Sequence, residues 1–448
     1  MVVMKFGGTS VQNGDYIDRA LDIAAKQLDS APLLISSAMG KTTDALVAVT
    51  ELAEQGMFAG AEEQLKTLKD NHFTVADGFL TGQVLEECRR AIDELYLQLI
   101  ALVRGSSLLH ECSPRSRDAI LAFGELLSTT IICHRAMARG MDAQWIDSRD
   151  CIITDDNFTS ASPDFDATNK AIKKHVKPHK GRLLIAQGFI SRTADGTTTT
   201  LGRGGSDYTA AIFGAALKAD EVQIWTDVNG ILTSDPRIVP GARTIDKITY
   251  DEAAELAFFG AKVVHPSTIQ PAIRHGIPVW VKNSGEPDHT GTLISGEASG
   301  SGLRAIAGKK GVTLMNISSS RMLNAYGFLS RIFAIFNTYK TPVDLVATSE
   351  VSVSMTIDNT RYIEEISAEL EKLGQIKIVK NASIICMVGL NLWRDSAFIA
   401  RAFSALEGIP IEMVSLGSSD INLSCVVPDE YADQAIRTLH VKLLEETQ

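Results

Sequence analysis

The sequence predicts an α/β protein with a mostly parallel sheet between layers of helices, followed by two smaller units of strand–helix–strand–strand–helix–strand type. Three observations predict this fold. Short apolar runs alternate with helical patterns over the first three hundred residues. A segment rich in glycine, serine and glutamate follows at 284–302, and the pattern beyond it occurs twice. Strands that alternate with helices favour a parallel sheet covered on both faces.

The strands of the large sheet are predicted from short apolar segments: MVVMKF, PLLISSA, AQWIDS, RLLIAQGFI, EVQIWTDV and IPVWVKN. Helical patterns such as YIDRALDIAAKQL and RRAIDELYLQLIALV separate them. Because ligands of such sheets bind at the carboxyl ends of the strands, the glycine-containing loops there are the expected functional site.

The C-terminal part of the chain repeats itself. Four residues of the first copy recur at a spacing of 70 in the second, namely Phe328, Phe333, Glu350 and Ser354 as Phe398, Phe403, Asp420 and Ser424. The second copy ends before its last strand, which the segment 303–310 (LRAIAGKK) is able to supply. We therefore predict domains at 1–295, 312–381 and 382–448, with the first repeat inserted into the second.

Composition restricts the class of protein. A chain of 448 residues is too long for one core, and a formal net charge of −11 argues against nucleic-acid and membrane-surface partners. Six scattered cysteines fit a reducing compartment, and no apolar run reaches about 18 residues. The N-terminal MVVMKFGG lacks the apolar core of a signal peptide. These features predict a cytoplasmic protein.

Two glycine-containing stretches indicate an anion site. In TTTTLGRGGSD (197–207), glycines allow backbone N–H groups to approach a phosphate, while Arg203 suits a carboxylate equally well. KFGGTSV (5–11) joins a strand to a helical pattern, and Lys5 adds a positive charge beside Gly7 and Gly8. The alternative for KFGGTSV is an ordinary strand–turn–helix junction. The stretch SSAMGKTTD is not a P-loop, because Ile35 stands where that motif needs glycine.

Several single residues leave two interpretations open. Glu125 lies in an apolar helical pattern and needs a partner, either an arginine such as Arg117 or the ammonium of a ligand. Thr226-Asp227 and Asp235-Pro236-Arg237 suit either nucleotide contacts or ordinary turns. His175 and His179 lack a third metal ligand and are interpreted as part of a solvated basic face, so no metal site is predicted.

Seven motifs together resemble the aspartokinases, in which they occur in the same order: KFGGTS, SAMGKTTD, FGELLS, TTTLGRGGSD, IWTDVNG, DPR and FGAKVVHP. The resemblance runs from Met4 to the C-terminus. The repeated tail resembles paired ACT regulatory domains, and TSEVSVSMTI resembles the lysine-sensitive branch. The resemblance implies an amino-acid-kinase fold of the carbamate-kinase-like type, with a mostly parallel open sheet between helices, and a homodimer formed through the ACT domains.

The resemblance also implies roles for individual residues. Lys5, Gly7 and Gly8 match the phosphate-contacting motif, and Asp207 matches the aspartate that orients this lysine. Glu125 matches the partner of the substrate α-ammonium and Arg203 that of its α-carboxylate, with Thr43, Phe189 and Ser206 beside them. The matching nucleotide contacts are Thr226, Asp227, Arg237, Lys262 and Val263. Leu232 departs from the family, which often has tyrosine there. The matching effector residues are Met322, Gly327, Phe328, Leu329, Asp344, Thr348, Ser349 and Glu350.

The implied reaction is the ATP-dependent phosphorylation of the L-aspartate β-carboxylate to 4-phospho-L-aspartate, the first step of lysine, threonine and methionine biosynthesis, with feedback inhibition by lysine. A β-carboxylate has a pKa near 3.9, so it is an anionic nucleophile without a general base. Mg²⁺ is expected to arrive with the nucleotide.

Two other functions remain open from the residues alone. The same fold accepts glutamate, N-acetylglutamate or a nucleoside monophosphate, although Glu125 speaks against an acylated amine. The chain is also consistent with an amino-acid sensor without catalysis, or with repeats that only dimerise.

Overall fold

The computed structural model describes residues 1–260, 264, 266–297, 300–323, 326–417 and 419–446. The chain forms two compact units. The first comprises Met1–Ile231 and Val263–Glu297, and the second comprises Leu232–Lys262 and Ala298–Gln448.

The strands of the described residues are β1 (Val2–Phe6), β2 (Leu33–Ser36), β3 (Asp142–Ile146), β4 (Ile153–Thr154), β5 (Arg182–Gln187), β6 (Ile190–Thr193), β7 (Thr198–Thr200), β8 (Glu221–Thr226), β9 (Lys247–Thr249), β10 (Val279–Asn283), β11 (Thr292–Ser295), β12 (Gly302–Ser318), β13 (Val346–Thr348), β14 (Ser352–Ile357), β15 (Gln375–Leu390), β16 (Met413–Leu416) and β17 (Asn422–Pro428).

The α-helices are α1 (Gly14–Ala25), α2 (Thr42–Glu54), α3 (Phe58–Asp77), α4 (Gly82–Leu109), α5 (Pro114–Leu121), α6 (Phe123–Ala138), α7 (Phe165–His175), α8 (Gly205–Leu217), α9 (Tyr250–Phe258), α10 (Pro266–Arg274), α11 (Phe328–Thr338), α12 (Ile363–Glu371), α13 (Ser396–Ala405) and α14 (Ala432–His440).

The first unit contains the predicted parallel sheet. Its strands run in the order β3-β5-β2-β1-β8-β10-β11, and all neighbours are parallel except β10 and β11. The central strand β1 is apolar on both faces, with Val3, Met4 and Phe6 fully buried, as helices on both sides of a sheet require. A small sheet, β4-β6-β7, leads into the glycine-rich loop at 201–205.

Helices α5 and α6 form part of the core of this unit. The segment Pro114–Ala138 has a length and hydropathy that would also allow it to cross a membrane, and 83% of its most apolar window is buried inside the chain. Most residues of α6 are buried, among them Ile131 and Ile132. In this fold α6 is therefore covered by protein on nearly all sides.

The second unit contains one antiparallel sheet in the order β13-β14-β12-β15-β17-β16. The predicted strand at 303–310 continues without interruption into the first repeat as one strand, β12, which pairs with β15 along its length. Lys309 pairs with Ile384, and Val312 pairs with Ala382 across a bulge that contains Gly311. The first half of β12 thus pairs with a strand of the second repeat. This pairing corresponds to a first repeat that is inserted into the second.

The segment 232–260 packs within the second unit. Val239 belongs to the hydrophobic cluster under the second repeat, and the Ser234 hydroxyl donates to the Ile306 carbonyl (2.9 Å). A hydrogen bond of 2.9 Å also joins Thr233 Oγ1 and His440 Nε2. The predicted 1–295 domain did not anticipate these contacts, and the three domain boundaries stay predictions.

Candidate active site

The loops that follow β1 and β2 cross each other at the carboxyl end of the sheet. Adjacent strands place Lys5 beside Ile35 of β2 and Ile224 of β8. A β-carbon on Gly8 would lie 2.9 Å from the Ala38 carbonyl oxygen and 3.0 Å from that of Gly40. Both atoms are backbone, so only glycine fits where KFGGTS meets SAMGKTT. The Gly40 N–H donates to the Gly8 carbonyl (3.0 Å) and joins the two loops.

Lys5 and Asp207, the predicted catalytic pair, lie together. Lys5 Nζ is 2.7 Å from Asp207 Oδ1, and only 12% and 13% of the two side chains are exposed. Asp207 lies in the first turn of α8, directly after the glycine-rich loop. The distance from Lys5 Nζ to the position of a β-carbon on Gly7 would be 3.5 Å. The ion pair therefore places the ammonium beside the turn between β1 and the short 3₁₀ helix Gly8–Val11.

Glu125 is a buried carboxyl with one unused oxygen. Its Oε1 accepts a hydrogen bond from the Ala38 N–H (3.1 Å), and Oε2 has no partner among the described residues. Burial raises the pKa of Glu125 to about 8, although the Ala38 N–H opposes the change. Arg117, the arginine considered as its partner, instead lies 3.9 Å from Glu51 at the surface. Glu125 is therefore poised to pair with a cation that the described chain does not supply.

Two further predicted residues, Phe189 and Ser206, border the same region. Ser37, which precedes Ala38, donates from its hydroxyl to Ser206 Oγ (2.9 Å). The backbone N–H of Phe189 donates to Thr209 Oγ1 (3.0 Å) in α8. A β-carbon on Gly188 would lie 2.5 Å from Ser206 Cβ, so this loop and α8 are in close contact. Ser37 and Gly188 were not predicted as site residues, although both follow strands directly.

Arg203 and Thr43 lie on elements next to this region but do not hydrogen-bond to the Glu125 carboxyl in the described part of the chain. Arg203 is exposed between Gly202 and Gly204, and within the described chain no carboxylate forms an ion pair with it. Thr43 is half-buried in the first turn of α2. Both predicted roles thus remain predictions.

The predicted nucleotide residues Thr226 and Asp227 lie at the end of β8. Thr226 Oγ1 donates to Asp227 Oδ1 (3.1 Å), and the Thr226 carbonyl accepts from the Ser284 N–H (2.8 Å). A bond of 2.7 Å between the hydroxyls of Ser284 and Ser10 connects this strand end to the KFGGTS turn. Ser284 was missed in the sequence, where its only signal is the Asn-Ser-Gly turn after a strand.

Other predicted nucleotide residues lie elsewhere in the chain. Arg237 belongs to the second unit, where its 85%-exposed side chain pairs with Asp235 (2.6 Å). Lys262 and Val263 fall outside the described residues. Leu232 begins the second unit and forms an isolated bridge with Thr244.

The predicted effector residues divide between the two ends of β14. Thr348 ends β13, and the turn before β14 holds Ser349 and Glu350. A bond from the Ser319 N–H to the Val351 carbonyl (2.8 Å) places this turn beside the loop after β12. That loop and the start of α11 contain Met322, Gly327, Phe328 and Leu329. Asp344 lies near the other end of β14, where its N–H donates to the Thr356 carbonyl (2.8 Å).

In the part of the chain that the structure describes, no group of three or more His, Cys, Asp or Glu side chains is arranged to hold a metal ion. His175 and His179 are exposed, in agreement with a solvated face.

Comparison with known proteins identifies both parts of the chain. Residues 1–283 match the model of the amino acid kinase family, and residues 385–443 match an ACT domain. The lysine-sensitive aspartokinase 3 of Escherichia coli (strain K12) is 37% identical, over 99% of this chain and 99% of its own length.

Solved structures give the same result. The chain is similar to E. coli aspartokinase III in complex with aspartate and ADP (R-state), with a TM-score of 0.84 at 37% identity, covering 99% of this chain and 100% of that one. It is also similar to the same enzyme in complex with lysine and aspartate (T-state), with a TM-score of 0.80 at 36% identity and the same coverage. The predicted amino-acid-kinase fold, followed by an ACT domain, is confirmed. The chain belongs to the aspartokinase family.

Proposed function

We propose that this protein transfers the γ-phosphoryl group of ATP to the β-carboxylate of L-aspartate, forming 4-phospho-L-aspartate and ADP. The observation that carries the proposal is the juxtaposition of a Lys5–Asp207 ion pair with a buried, half-paired Glu125, where the loops after β1 and β2 cross. The Lys5–Asp207 pair suits a phosphate, which a nucleotide supplies. Glu125 suits an ammonium, which a free amino acid supplies.

Substrate selection rests on the charge of Glu125. When the α-ammonium of aspartate reaches Oε2, it stabilises the ionised carboxylate and lowers the pKa that burial had raised. An N-acylated amino acid has no ammonium and would leave this oxygen unpaired. Arg203, exposed in the glycine-rich loop, is proposed to bind the α-carboxylate as a planar fork, with Thr43, Phe189 and Ser206 beside it.

The transfer step needs neutralisation of charge more than proton transfer. The β-carboxylate is already ionised at neutral pH, so it attacks the γ-phosphorus directly while ADP leaves with the electron pair of the broken P–O bond. Lys5 lowers the repulsion between the two anions, and Asp207 holds its ammonium in place. Mg²⁺ is proposed to enter as part of the Mg–ATP substrate, because Asp207 is already engaged with Lys5.

The remaining assignments complete the proposal. The nucleotide is bound by Gly7, Gly8, Thr226, Asp227, Arg237, Lys262 and Val263. The kinase domain spans 1–295 and the ACT domains span 312–381 and 382–448, through which the protein forms a homodimer in the cytoplasm. Lysine, an end product of the pathway that this reaction opens, inhibits by binding at Met322, Gly327, Phe328, Leu329, Asp344, Thr348, Ser349 and Glu350.

One assay tests the catalytic proposal. The purified protein is incubated with Mg–ATP, hydroxylamine and either L-aspartate, L-glutamate or N-acetyl-L-glutamate, and the hydroxamate is measured with and without lysine. Of the three substrates, we expect only L-aspartate to give hydroxamate. Lysine should reduce its amount, and Lys5→Ala should form none. The control variant is Lys26→Ala, at a position 66% exposed. Equal turnover of N-acetylglutamate, or full activity of Lys5→Ala, would contradict the proposal.

A further inference from the structure

The ammonium of Lys309 is bound by two carboxylates in the second unit. Lys309 Nζ lies 3.0 Å from Asp344 Oδ2 and 3.0 Å from Asp358 Oδ2, and 4.7 Å from the centre of the Phe258 ring. Burial opposes the charge of Lys309, but its hydrogen bonds to both carboxylates outweigh burial and raise its pKa. Lys309 therefore stays charged over the physiological range.

The two carboxylates differ in their access to solvent. The Asp344 side chain is 4% exposed and that of Asp358 is 46% exposed. Asp344 is thus nearly closed to solvent while its Oδ2 accepts from Lys309, and a second ammonium would gain this oxygen by withdrawal of Lys309. Asp358 is accessible enough to retain Lys309 after such a withdrawal.

We propose that Lys309 is an internal competitor of the effector lysine: it occupies Asp344 in the active arrangement and moves to Asp358 alone when effector binds. The inference rests on the proposed regulation by lysine and extends it. The side chain of Lys309 ends in the same primary ammonium as the effector, so both satisfy the same carboxylate. Because Lys309 is tethered, it competes at a high effective concentration.

The same displacement offers a route from the effector to the rest of the chain. Phe258, whose ring lies under the Lys309 ammonium, is the last residue of α9. The FGAKVV stretch with the predicted nucleotide contact Lys262 follows directly in sequence. An effector that binds only the arrangement in which Lys309 has left Asp344 increases the population of that arrangement. The surroundings of Phe258 at the end of α9 then change as well.

The competition model makes predictions of opposite sign for the two partners of Asp344. Lys309→Met removes the competitor and should tighten lysine binding. Asp358→Asn removes the second acceptor, so that displaced Lys309 would be left unpaired, and should weaken lysine binding. A purely structural ion cluster would be loosened by both substitutions and would shift both affinities in the same direction.

The test is isothermal titration of L-lysine into the full-length protein, together with lysine inhibition of the hydroxamate assay. Lys310→Met is the matched control, since this neighbouring lysine pairs with Asp433 instead (2.7 Å). We expect Lys309→Met to bind lysine at least about fivefold tighter, Asp358→Asn at least about fivefold weaker and Lys310→Met within about twofold of the wild type.

Unchanged or weaker lysine binding by folded Lys309→Met, or shifts of equal sign in both variants, would overturn the inference. If Lys309→Met does not fold, tighter or unchanged lysine binding by Asp358→Asn is sufficient by itself to overturn the inference. A wild-type protein that neither binds lysine nor is inhibited by it would instead refute the proposed regulation. The two failures are therefore distinguishable.

Discussion

Replacing Glu125 by glutamine should stabilise the ligand-free protein at alkaline pH while weakening aspartate binding. Glu125 is 3% exposed, and the pKa of its carboxyl is raised from 4.5 to about 8 by burial. Between these two pH values the folded chain holds this proton more tightly than the unfolded chain does. Stability is therefore lost as the pH rises through this window, and the loss is complete above pH 8.

The magnitude follows from the two pKa values. At about 1.4 kcal/mol per pKa unit, the change from 4.5 to about 8 corresponds to roughly 5 kcal/mol at high pH, of which about 4 kcal/mol develops between pH 5 and pH 9. Glutamine keeps an oxygen for the Ala38 N–H and carries no charge. The NH₂ group of the glutamine would be unpaired, which lowers the free energy of unfolding by about 1–3 kcal/mol at every pH. This cost does not alter how stability depends on pH.

Thermal unfolding of the free proteins between pH 5 and pH 9 measures this effect. The melting temperature of Glu125→Gln relative to the wild type should rise by about 8 °C over this range, at roughly 2 °C per kcal/mol. Glu51→Gln is the matched control, because Glu51 is 60% exposed and pairs loosely with Arg117. Its melting temperature should follow that of the wild type.

Aspartate binding gives the second part of the test. Loss of a buried charge pair of roughly 3 kcal/mol should raise the aspartate KM of Glu125→Gln about 100-fold. In the wild type, apparent aspartate affinity should improve by up to about tenfold per pH unit as the pH rises toward 8, and in the variant it should be flat. A difference in melting temperature independent of pH, or an unchanged aspartate KM, would refute the assigned burial and role of Glu125.

Four further predictions concern single residues. Arg203→Ala should raise the aspartate KM at least about tenfold with little change in the ATP KM, and an unchanged aspartate KM would exclude its carboxylate role. Asp207→Asn should lower kcat by about 100-fold with smaller changes in either KM, because the Lys5 ammonium loses its partner; equal kcat values would remove Asp207 from the mechanism. Gly8→Ala should destabilise the protein by about 1–3 kcal/mol, since its β-carbon would overlap backbone 2.9 Å away, whereas Gly14→Ala, with nothing closer than 3.6 Å, should melt like the wild type. Glu350→Ala should leave turnover intact and raise the lysine concentration for half-inhibition at least about tenfold, and undiminished inhibition would remove Glu350 from the effector site.

Local patterns in the sequence were sufficient for the fold, whereas the Lys5–Asp207 ion pair was predicted from the family resemblance. An apolar strand followed by two glycines predicted where β1 ends, and the family order of motifs linked Lys5 to Asp207. The crossing of the loops after β1 and β2 was not predictable from either motif alone. It depends on β1 lying between β2 and β8, which is a property of the whole sheet.

The residues that were missed depend on such long-range contacts. Ser37 and Ser284 carry no motif of their own, and their partners lie 169 and 274 positions away in the chain. The Lys309 cluster joins a β12 residue to two aspartates of the first repeat, so the sequence shows only an ordinary lysine in a strand. The continuity of β12 is hidden for a different reason, because a glycine such as Gly311 is typical of a turn, whereas the structure has a bulge within one strand.

The most direct test of the proposed reaction follows the oxygen that accepts the phosphoryl group. L-Aspartate with both β-carboxylate oxygens labelled with ¹⁸O is phosphorylated in the presence of hydroxylamine, and the released phosphate is examined by ³¹P NMR. If the β-carboxylate attacks the γ-phosphorus, each released phosphate carries one ¹⁸O, and Lys5→Ala releases none above background. Phosphate without ¹⁸O would show that the β-carboxylate is not the acceptor and would contradict the proposed reaction.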